Sequence, residues 1–393
     1  MNESTKFKRR LLQVLRSDAR RAWVVLGLLA PALFAGQRTK PRPPTTPKTY
    51  SMEKAPTDAQ VVGATVCAPC HAAETGAQKN TPMALAAEPA AESNILREHA
   101  RLSFRLGLYS YQIVRAGEQS IYSVTDGKET ISEPIEWAFG RGEAGQTYLF
   151  RREGAYYQSR VSFYNATQQL DLTVGAAVTL PNSLEEALGD HLGQAETRLC
   201  FSCHNTAAVT GEQFDTRRMI PGVTCEACHG PGGRHVTAMK AGRLETAYIL
   251  DPGKEAPEDL VDFCGSCHRT WLMVQTMQVR GVNNVRFQPY RLENSRCWDG
   301  ADGRMSCLTC HNPHRPRVRE VAFYDSKCLS CHNRRGTSAA RQSNGPACPV
   351  STKNCVTCHM PKYELPGGHF KFTDHQIRVV RAGEPYQIGR AHV

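Results

Sequence analysis

Two cysteines separated by two residues and followed at once by a histidine recur seven times in this sequence. The motifs, numbered 1 to 7 along the chain, consist of Cys67, Cys70 and His71; Cys200, Cys203 and His204; Cys225, Cys228 and His229; Cys264, Cys267 and His268; Cys307, Cys310 and His311; Cys328, Cys331 and His332; and Cys355, Cys358 and His359. Thiols and an imidazole at this spacing suit half of a structural zinc site, a redox-active dithiol, or the covalent attachment of a c-type haem.

The histidine that follows every second cysteine favours covalent haem. A zinc ribbon makes no demand on the residue after its cysteines, and a redox dithiol needs one active pair rather than seven. Haem attachment needs all three groups, because the two thiols form thioethers with the porphyrin and the histidine binds the iron as proximal ligand. We therefore predict seven covalently attached haems c, with structural zinc as the alternative.

Seven further histidines equal the haems in number and are candidates for the second axial position. A second imidazole saturates the iron and gives a low-potential electron-transfer site. His235 and His314 lie on turns just after motifs 3 and 5, where each reaches a neighbouring haem more easily than its own. The predicted ligands are His235, His314, His375, His369, His191 and His99, whereas His392 lies next to the chain end, where chains often fray. If one iron lacks histidine, Met83 is the alternative ligand for haem 1.

Bulk composition limits the class of protein. The 393 residues suggest two or three domains, and 14 of the 16 cysteines belong to the motifs. The formal charge is +11, but residues 1–35 carry seven basic and two acidic residues, a net +5, and haem propionates would offset much of the rest. Nucleic-acid binding is therefore not supported.

The N-terminus predicts export. A basic region precedes an apolar run at residues 22–36, which is shorter than the roughly 20 residues that span a bilayer and ends in small residues. We interpret residues 1–36 as a signal peptide, with a signal anchor and membrane attachment as the alternative. General secretion is favoured over a twin-arginine route because haem is attached after the chain crosses the membrane. The expected location is periplasmic or extracellular.

The region after the signal divides by composition. Residues 37–60 are rich in proline and predict a linker. Residues 61–101 form the first haem segment, with a helix from Ala72 to about Ala87, and residues 176–393 form a six-haem domain. The predicted fold class is a multihaem cytochrome c of short helices and irregular segments, with stacked haems as its core.

A cysteine-free stretch, residues 102–175, interrupts the motifs between haems 1 and 2 and contains seven of the 13 tyrosines. Apolar residues alternate there, and Asp126-Gly127 and Glu153-Gly154 mark turns. We predict a small antiparallel β-module whose tyrosines line the sheet faces; the alternative is a docking surface or a lid over a haem.

Two cysteines, Cys297 and Cys348, lie outside the motifs. In an oxidising compartment they predict a disulfide that closes a loop around haems 5 and 6. A free buried thiol is the alternative for each.

The contexts of three motifs resemble a known family. Cys225-Glu-Ala-Cys-His-Gly-Pro-Gly, Cys307-Leu-Thr-Cys-His-Asn-Pro-His and Cys355-Val-Thr-Cys-His-Met-Pro-Lys followed by Phe372-Thr-Asp-His resemble the multihaem cytochrome c-554-type family. The resemblance covers Cys67–Cys70 and residues 200–376, and implies closely stacked haems and periplasmic electron transfer. The chain departs from the family pattern at Thr81-Pro82-Met83, where a Ser-x-His segment is common, and lacks the Cys-x-x-Cys-Lys motif of the related nitrite reductases.

Two function classes follow. As a carrier, the chain would pass electrons between redox partner proteins through a stacked haem array whose irons carry two histidines. As an oxidoreductase, it would act on a small nitrogen or sulfur compound at one haem with an open axial position. The spare histidines favour the carrier, because saturated irons bind no substrate.

Overall fold

The computed structural model describes residues 60–211, 213–244, 248–299, 304–332, 348–381 and 383–386. These residues all fall within one unit, Pro47–Val393. The predicted signal segment, nearly all of the predicted linker, and His392 lie outside the described residues. Within the described ranges, no helix has the length and apolar character needed to cross a membrane.

A nine-stranded antiparallel sheet occupies the cysteine-free region and extends beyond both of its ends. Seven strands follow one another as a meander, β1 pairs with β5, and β9 pairs with β7. Because β2 and β8 lie against each other, the sheet curls on itself. The strands are β1 (Ala87–Pro89), β2 (Arg101–Leu106), β3 (Tyr109–Ala116), β4 (Gln119–Thr125), β5 (Thr130–Phe139), β6 (Gln146–Arg152), β7 (Ala155–Tyr164), β8 (Gln169–Leu172) and β9 (Gly189–Leu192).

Alternation and turn chemistry explain the meander. Buried and half-buried positions alternate along β3 and β4, as a period-2 pattern requires. The β6–β7 hairpin turns through Glu153 and Gly154, which both have positive φ (51° and 82°), the backbone of a tight two-residue turn. The predicted antiparallel module is thus present, but it is larger than expected, and the fold is α+β.

The tyrosines of the module are core residues. Six of the seven are buried, namely Tyr109, Tyr111, Tyr122, Tyr148, Tyr156 and Tyr164. Their rings pack with aliphatic and phenylalanine side chains in the interior of the curled sheet and on its outer face. These six therefore do not form an exposed docking surface.

Short helices and turns carry the haem motifs. The helices are α1 (Ala64–Cys67), α2 (Ala72–Gln78), α3 (Asn94–Glu98), α4 (Leu184–Leu188), α5 (Gln194–His204), α6 (Cys225–His229), α7 (Gly233–Lys240), α8 (Pro257–His268), α9 (Trp271–Met277), α10 (Gln288–Glu293), α11 (Cys307–Cys310), α12 (Val321–Leu329) and α13 (Cys355–His359). The predicted helix from Ala72 to about Ala87 is wrong at its C-terminal half, because Pro82 disfavours helical backbone at the residue before it and α2 ends at Gln78.

Three two-stranded ladders complete the fold: β10 (Asn205–Thr206) with β13 (Ile220–Pro221), β11 (Val209–Thr210) with β12 (Gln213–Phe214), and β14 (Lys362–Glu364) with β15 (Lys371–Thr373). The large sheet packs on the motif 2 helix α5 through an aromatic cluster. Phe201 of α5 is fully buried, with its ring centre 5.1 Å from that of Phe139 and 5.2 Å from that of Tyr156. The β-module therefore packs against the helix of the second haem motif through buried aromatic side chains.

Candidate haem-binding sites

Most motifs lie on or at the end of a short helix. Motif 3 forms the whole of α6, motif 7 forms the whole of α13, and motifs 2 and 4 end α5 and α8. Residues i, i+3 and i+4 share one face of a helix, so the two thiols and the imidazole point to the same side. After motif 3, Gly230 (φ 75°) ends the helix in a backbone conformation that favours glycine.

Three motif histidines each face one of the predicted second ligands. The ring centres of His71 and His235 are 6.4 Å apart, those of His229 and His314 are 5.9 Å apart, and those of His311 and His375 are 6.2 Å apart. In each pair, the second histidine comes from the segment after a later motif. His235 and His314 therefore reach a neighbouring motif rather than their own.

These separations fit two imidazoles on one iron. A metal–imidazole nitrogen bond is about 2 Å long and the ring centre lies about 1 Å further, so two opposed imidazoles have centres about 6 Å apart. Direct ring stacking would bring them closer. The three pairs thus have the spacing that bis-histidine ligation requires.

Backbone carbonyls fix the tautomer of several of these rings. The Nδ1 atom lies at hydrogen-bond distance from a carbonyl oxygen in four of them, with distances of 3.1 Å from His204 to Ala86, 2.8 Å from His229 to Leu250, 2.9 Å from His359 to Arg378 and 3.0 Å from His375 to Thr373. A ring that donates from Nδ1 leaves its Nε2 lone pair for a metal.

Desolvation favours the neutral form of five candidate ligands. It lowers the pKa of His375 to about 4, and it is the largest cause of the lowered pKa of His204, His268, His311 and His314. Neutral imidazole is the form that binds a metal.

The other three predicted ligands are placed differently. His191 is exposed on β9, edge-on to Tyr157 with ring centres 5.2 Å apart. His99 ends α3, with Nδ1 2.8 Å from the Ile95 carbonyl oxygen and its ring against the β-module. The Nε2 of His369 lies 2.7 Å from an Asp171 carboxylate oxygen on β8. That contact occupies Nε2, the nitrogen that His229 and His375 leave for a metal when Nδ1 donates to a carbonyl, and it ties the last haem segment to the sheet.

Cysteines of different motifs also lie close to one another. Four pairs are within hydrogen-bond reach: Cys67 with Cys225, Cys203 with Cys267, Cys264 with Cys307, and Cys328 with Cys355. Two further pairs, Cys228 with Cys264 and Cys310 with Cys328, are near enough to interact electrostatically. Motifs 1, 3, 4, 5, 6 and 7 therefore adjoin in that order, and motif 2 lies beside motif 4. Among the described residues, no group of three or more His, Cys, Asp or Glu side chains converges on a metal site of the zinc type.

The predicted disulfide is not formed. Cys297 and Cys348 are both free thiols. Cys297 lies close to Cys331 and Cys328 of motif 6, whereas the Cys348 sulfur accepts backbone hydrogen bonds from Ser351 and Val350, which lower the pKa of its thiol. The two cysteines therefore lie in different surroundings and are not paired with each other.

A buried charge cluster lies beside His375 and was not predicted from the sequence. The Arg291 guanidinium donates from Nε and an Nη atom to the two carboxylate oxygens of Asp374, each at 2.8 Å, and both side chains are fully buried. Arg378 donates to the same carboxylate at 2.6 Å. The one sequence signal for this cluster is the adjacent pair Asp374-His375, because Arg291 lies 83 residues before Asp374 in the chain.

Two carboxylates within or beside the motifs were also missed. Glu226 stands between the two cysteines of motif 3 and is 1% exposed, and Asp325 lies three residues before motif 6 and is 7% exposed. A charged residue inside a motif is the one sequence signal that could have drawn attention to Glu226.

Comparisons with known proteins find similarity to other cytochromes. The model of the family "Cytochrome c554 and c-prime" matches residues 165–230. The multiheme cytochrome MtrA of Shewanella baltica (strain OS185) is 25% identical over 172 residues, which are 41% of this chain and 45% of that protein. The chain therefore spans about half the length of this curated relative. The crystal structure of the outer cell wall cytochrome OcwA has 18% identity and a TM-score of 0.30, over 53% of this chain and 37% of that chain.

The motifs and the family match define the class of protein. The seven Cys-x-x-Cys-His motifs and the similarities to the cytochrome c554 family and to MtrA together support a multihaem c-type cytochrome. The resemblance that the motif contexts predicted is confirmed.

Proposed function

We propose that this chain is a heptahaem c-type cytochrome that carries electrons in the periplasm or outside the cell. The observation that carries the proposal is the set of three histidine pairs, His71 with His235, His229 with His314, and His311 with His375, whose ring centres lie 5.9–6.4 Å apart. When bound, each haem supplies a one-electron ferric/ferrous couple.

The chain's own residues have distinct roles in this proposal. The cysteines of each motif would anchor the porphyrin, and the following histidine would bind its iron. His235, His314 and His375 would supply a second imidazole at motifs 1, 3 and 5, which would leave those irons no site for a substrate. With His235 opposite His71, Met83 is not required as a ligand of haem 1.

The adjoining motifs support a continuous electron path. Neighbouring cysteines relate motifs 1, 3, 4, 5, 6 and 7 in that order, with motif 2 as a branch beside motif 4. The haems attached there would lie next to each other along the same path. Motif 1 and motif 7 are the two ends of this path, where exchange with redox partner proteins would take place.

Export and the relatives agree with this role. The apolar run near the N-terminus, the attachment of haem outside the cytoplasm and the match to a protein described as a multiheme cytochrome all favour an exported carrier.

A second candidate is an oxidoreductase that acts on a small nitrogen or sulfur compound at haem 2. The favouring observation is the surroundings of His204, whose ring stacks on Phe139 with centres 4.8 Å apart and a tilt of 18°. The ring that stacks on this motif histidine belongs to a phenylalanine and not to a second imidazole.

Low-temperature electron paramagnetic resonance of the oxidised holoprotein separates the two functions. The carrier predicts low-spin ferric signals from all haems. Replacing His235, His314 or His375 by alanine should convert one haem each to high spin, and alanine at His99, His191 and His369 tests the remaining predicted ligands. A high-spin signal in the unmodified protein that shifts with cyanide, nitrite or hydroxylamine would favour the oxidoreductase.

A further inference from the structure

Two buried carboxylates each connect one haem motif to the start of another. Glu226 belongs to α6, the helix of motif 3, and its carboxylate accepts hydrogen bonds from the backbone N–H groups of Val62 (2.9 Å), Gly63 (2.7 Å) and Gly232 (2.7 Å). Gly63 is the N-cap of α1, the helix that leads into motif 1. A side chain of motif 3 therefore holds the entry to motif 1.

Asp325 makes the equivalent contact between motifs 6 and 7. It lies on α12, and its carboxylate accepts hydrogen bonds from the backbone N–H groups of Asn354 (2.9 Å) and Cys355 (2.8 Å). These residues begin α13, the helix of motif 7. Burial disfavours the charged form, but the hydrogen bonds from Cys355 and Asn354 outweigh it and lower the pKa of Asp325.

Both carboxylates lie where the cysteines of two motifs approach each other. Cys67 and Cys225 are within hydrogen-bond reach near Glu226, and Cys328 and Cys355 are within hydrogen-bond reach near Asp325. A carboxylate meets several N–H donors with short, charge-assisted bonds, which are stronger than neutral ones. An amide of the same shape would turn an NH₂ group toward these donors and leave a buried N–H unsatisfied.

We propose that Glu226 and Asp325 are positioning residues, which fix motif 1 against motif 3 and motif 7 against motif 6 and thereby set electron exchange between the haems attached there. The inference rests on the proposed function, since it requires haem at these motifs. Each carboxylate also adds a buried negative charge beside two haems, which favours the ferric form and lowers their reduction potentials.

The test compares the Asp325→Asn and Glu226→Gln holoproteins with two matched controls. Glu320→Gln removes an exposed carboxylate that precedes α12, and Glu118→Gln removes an exposed carboxylate in the turn between β3 and β4. For each protein, the haem content, the potentiometric titration, the spin–spin interaction in electron paramagnetic resonance and the rate of internal electron redistribution after rapid partial reduction are measured.

Fully loaded Asp325→Asn and Glu226→Gln proteins should each show a raised potential of at least one haem, a changed spin–spin interaction and several-fold slower redistribution, whereas both controls match the unmodified protein. Fully loaded variants with unchanged potentials and unchanged spin–spin interaction would overturn the proposal.

If the amide variants lose haem, Asp325→Glu and Glu226→Asp provide a second test, because they keep the charge and displace the carboxylate by one methylene. These variants should change the spin–spin interaction, and no change would again overturn the proposal. Failure of the unmodified protein to hold haem at these motifs would instead contradict the proposed function.

Discussion

Replacing Asp374 by asparagine should strongly destabilise the holoprotein. The Asp374 side chain is fully buried and accepts from Arg291 at 2.8 Å on each carboxylate oxygen and from Arg378 at 2.6 Å. The backbone N–H of Gln376 donates to it as well, at 3.0 Å. Asparagine keeps the shape but removes the charge, so two buried guanidinium groups would lose the anion that balances them.

The size of the effect follows from the burial of the cluster. Breaking a buried ion pair by removing one partner costs about 3–5 kcal/mol, because the remaining charge stays uncompensated. Asparagine can still accept through one oxygen, and we therefore expect about 3 kcal/mol of lost unfolding free energy. Because His375 is the next residue, the variant should also disturb the ring that faces His311.

Guanidinium denaturation, followed by far-ultraviolet circular dichroism and haem absorbance, measures the loss. Glu364→Gln is the matched control, since Glu364 is an exposed carboxylate on β14 of the same segment; surface substitutions of this kind change stability by about 0.5 kcal/mol or less. An Asp374→Asn protein with full haem content and a loss below about 1 kcal/mol, the range of a single neutral hydrogen bond, would refute this account of the cluster.

Three further predictions concern the rest of the chain. Tyr122→Phe removes a buried hydrogen bond to the Leu188 carbonyl (2.9 Å) and should lower the free energy of unfolding by about 1 kcal/mol. Tyr111→Phe removes a buried hydroxyl without a hydrogen-bond partner and should leave stability nearly unchanged. Equal denaturation midpoints for the two variants would contradict this prediction. Gly189→Ala should reduce thermal stability, because its φ is 144° and a Cβ atom would overlap the Gln158 carbonyl oxygen; an unchanged melting temperature would count against it. Thiol titration of denatured, unreduced holoprotein should find two reactive cysteines, and finding none would restore the disulfide.

Local patterns explain what the sequence predicted well. The Cys-x-x-Cys-His spacing determines which groups share one face of a helical turn, and this follows from helix geometry alone. Alternating apolar residues and turns such as Glu153-Gly154 likewise specify antiparallel hairpins. These features depend on neighbours in the chain, so they could be predicted without a fold.

Contacts between residues far apart in the chain could not be predicted from the sequence. His71 faces a histidine 164 residues away, and Glu226 binds the backbone of Val62 across the same sequence separation. Spacing alone could not show that His369 contacts Asp171 on the sheet, or that Cys297 lies beside motif 6 rather than Cys348. Such pairings depend on how separate segments pack, which local composition does not encode.

The number of covalently bound haems is the most direct test of the central claim. Intact mass spectrometry of the denatured protein, purified from a host that attaches c-type haem, compares the measured mass with that of the bare polypeptide. The account predicts an increase of seven haems that survives acid–acetone extraction. A colourless, zinc-containing protein, or a mass increase of fewer than seven haems in fully matured material, would contradict it.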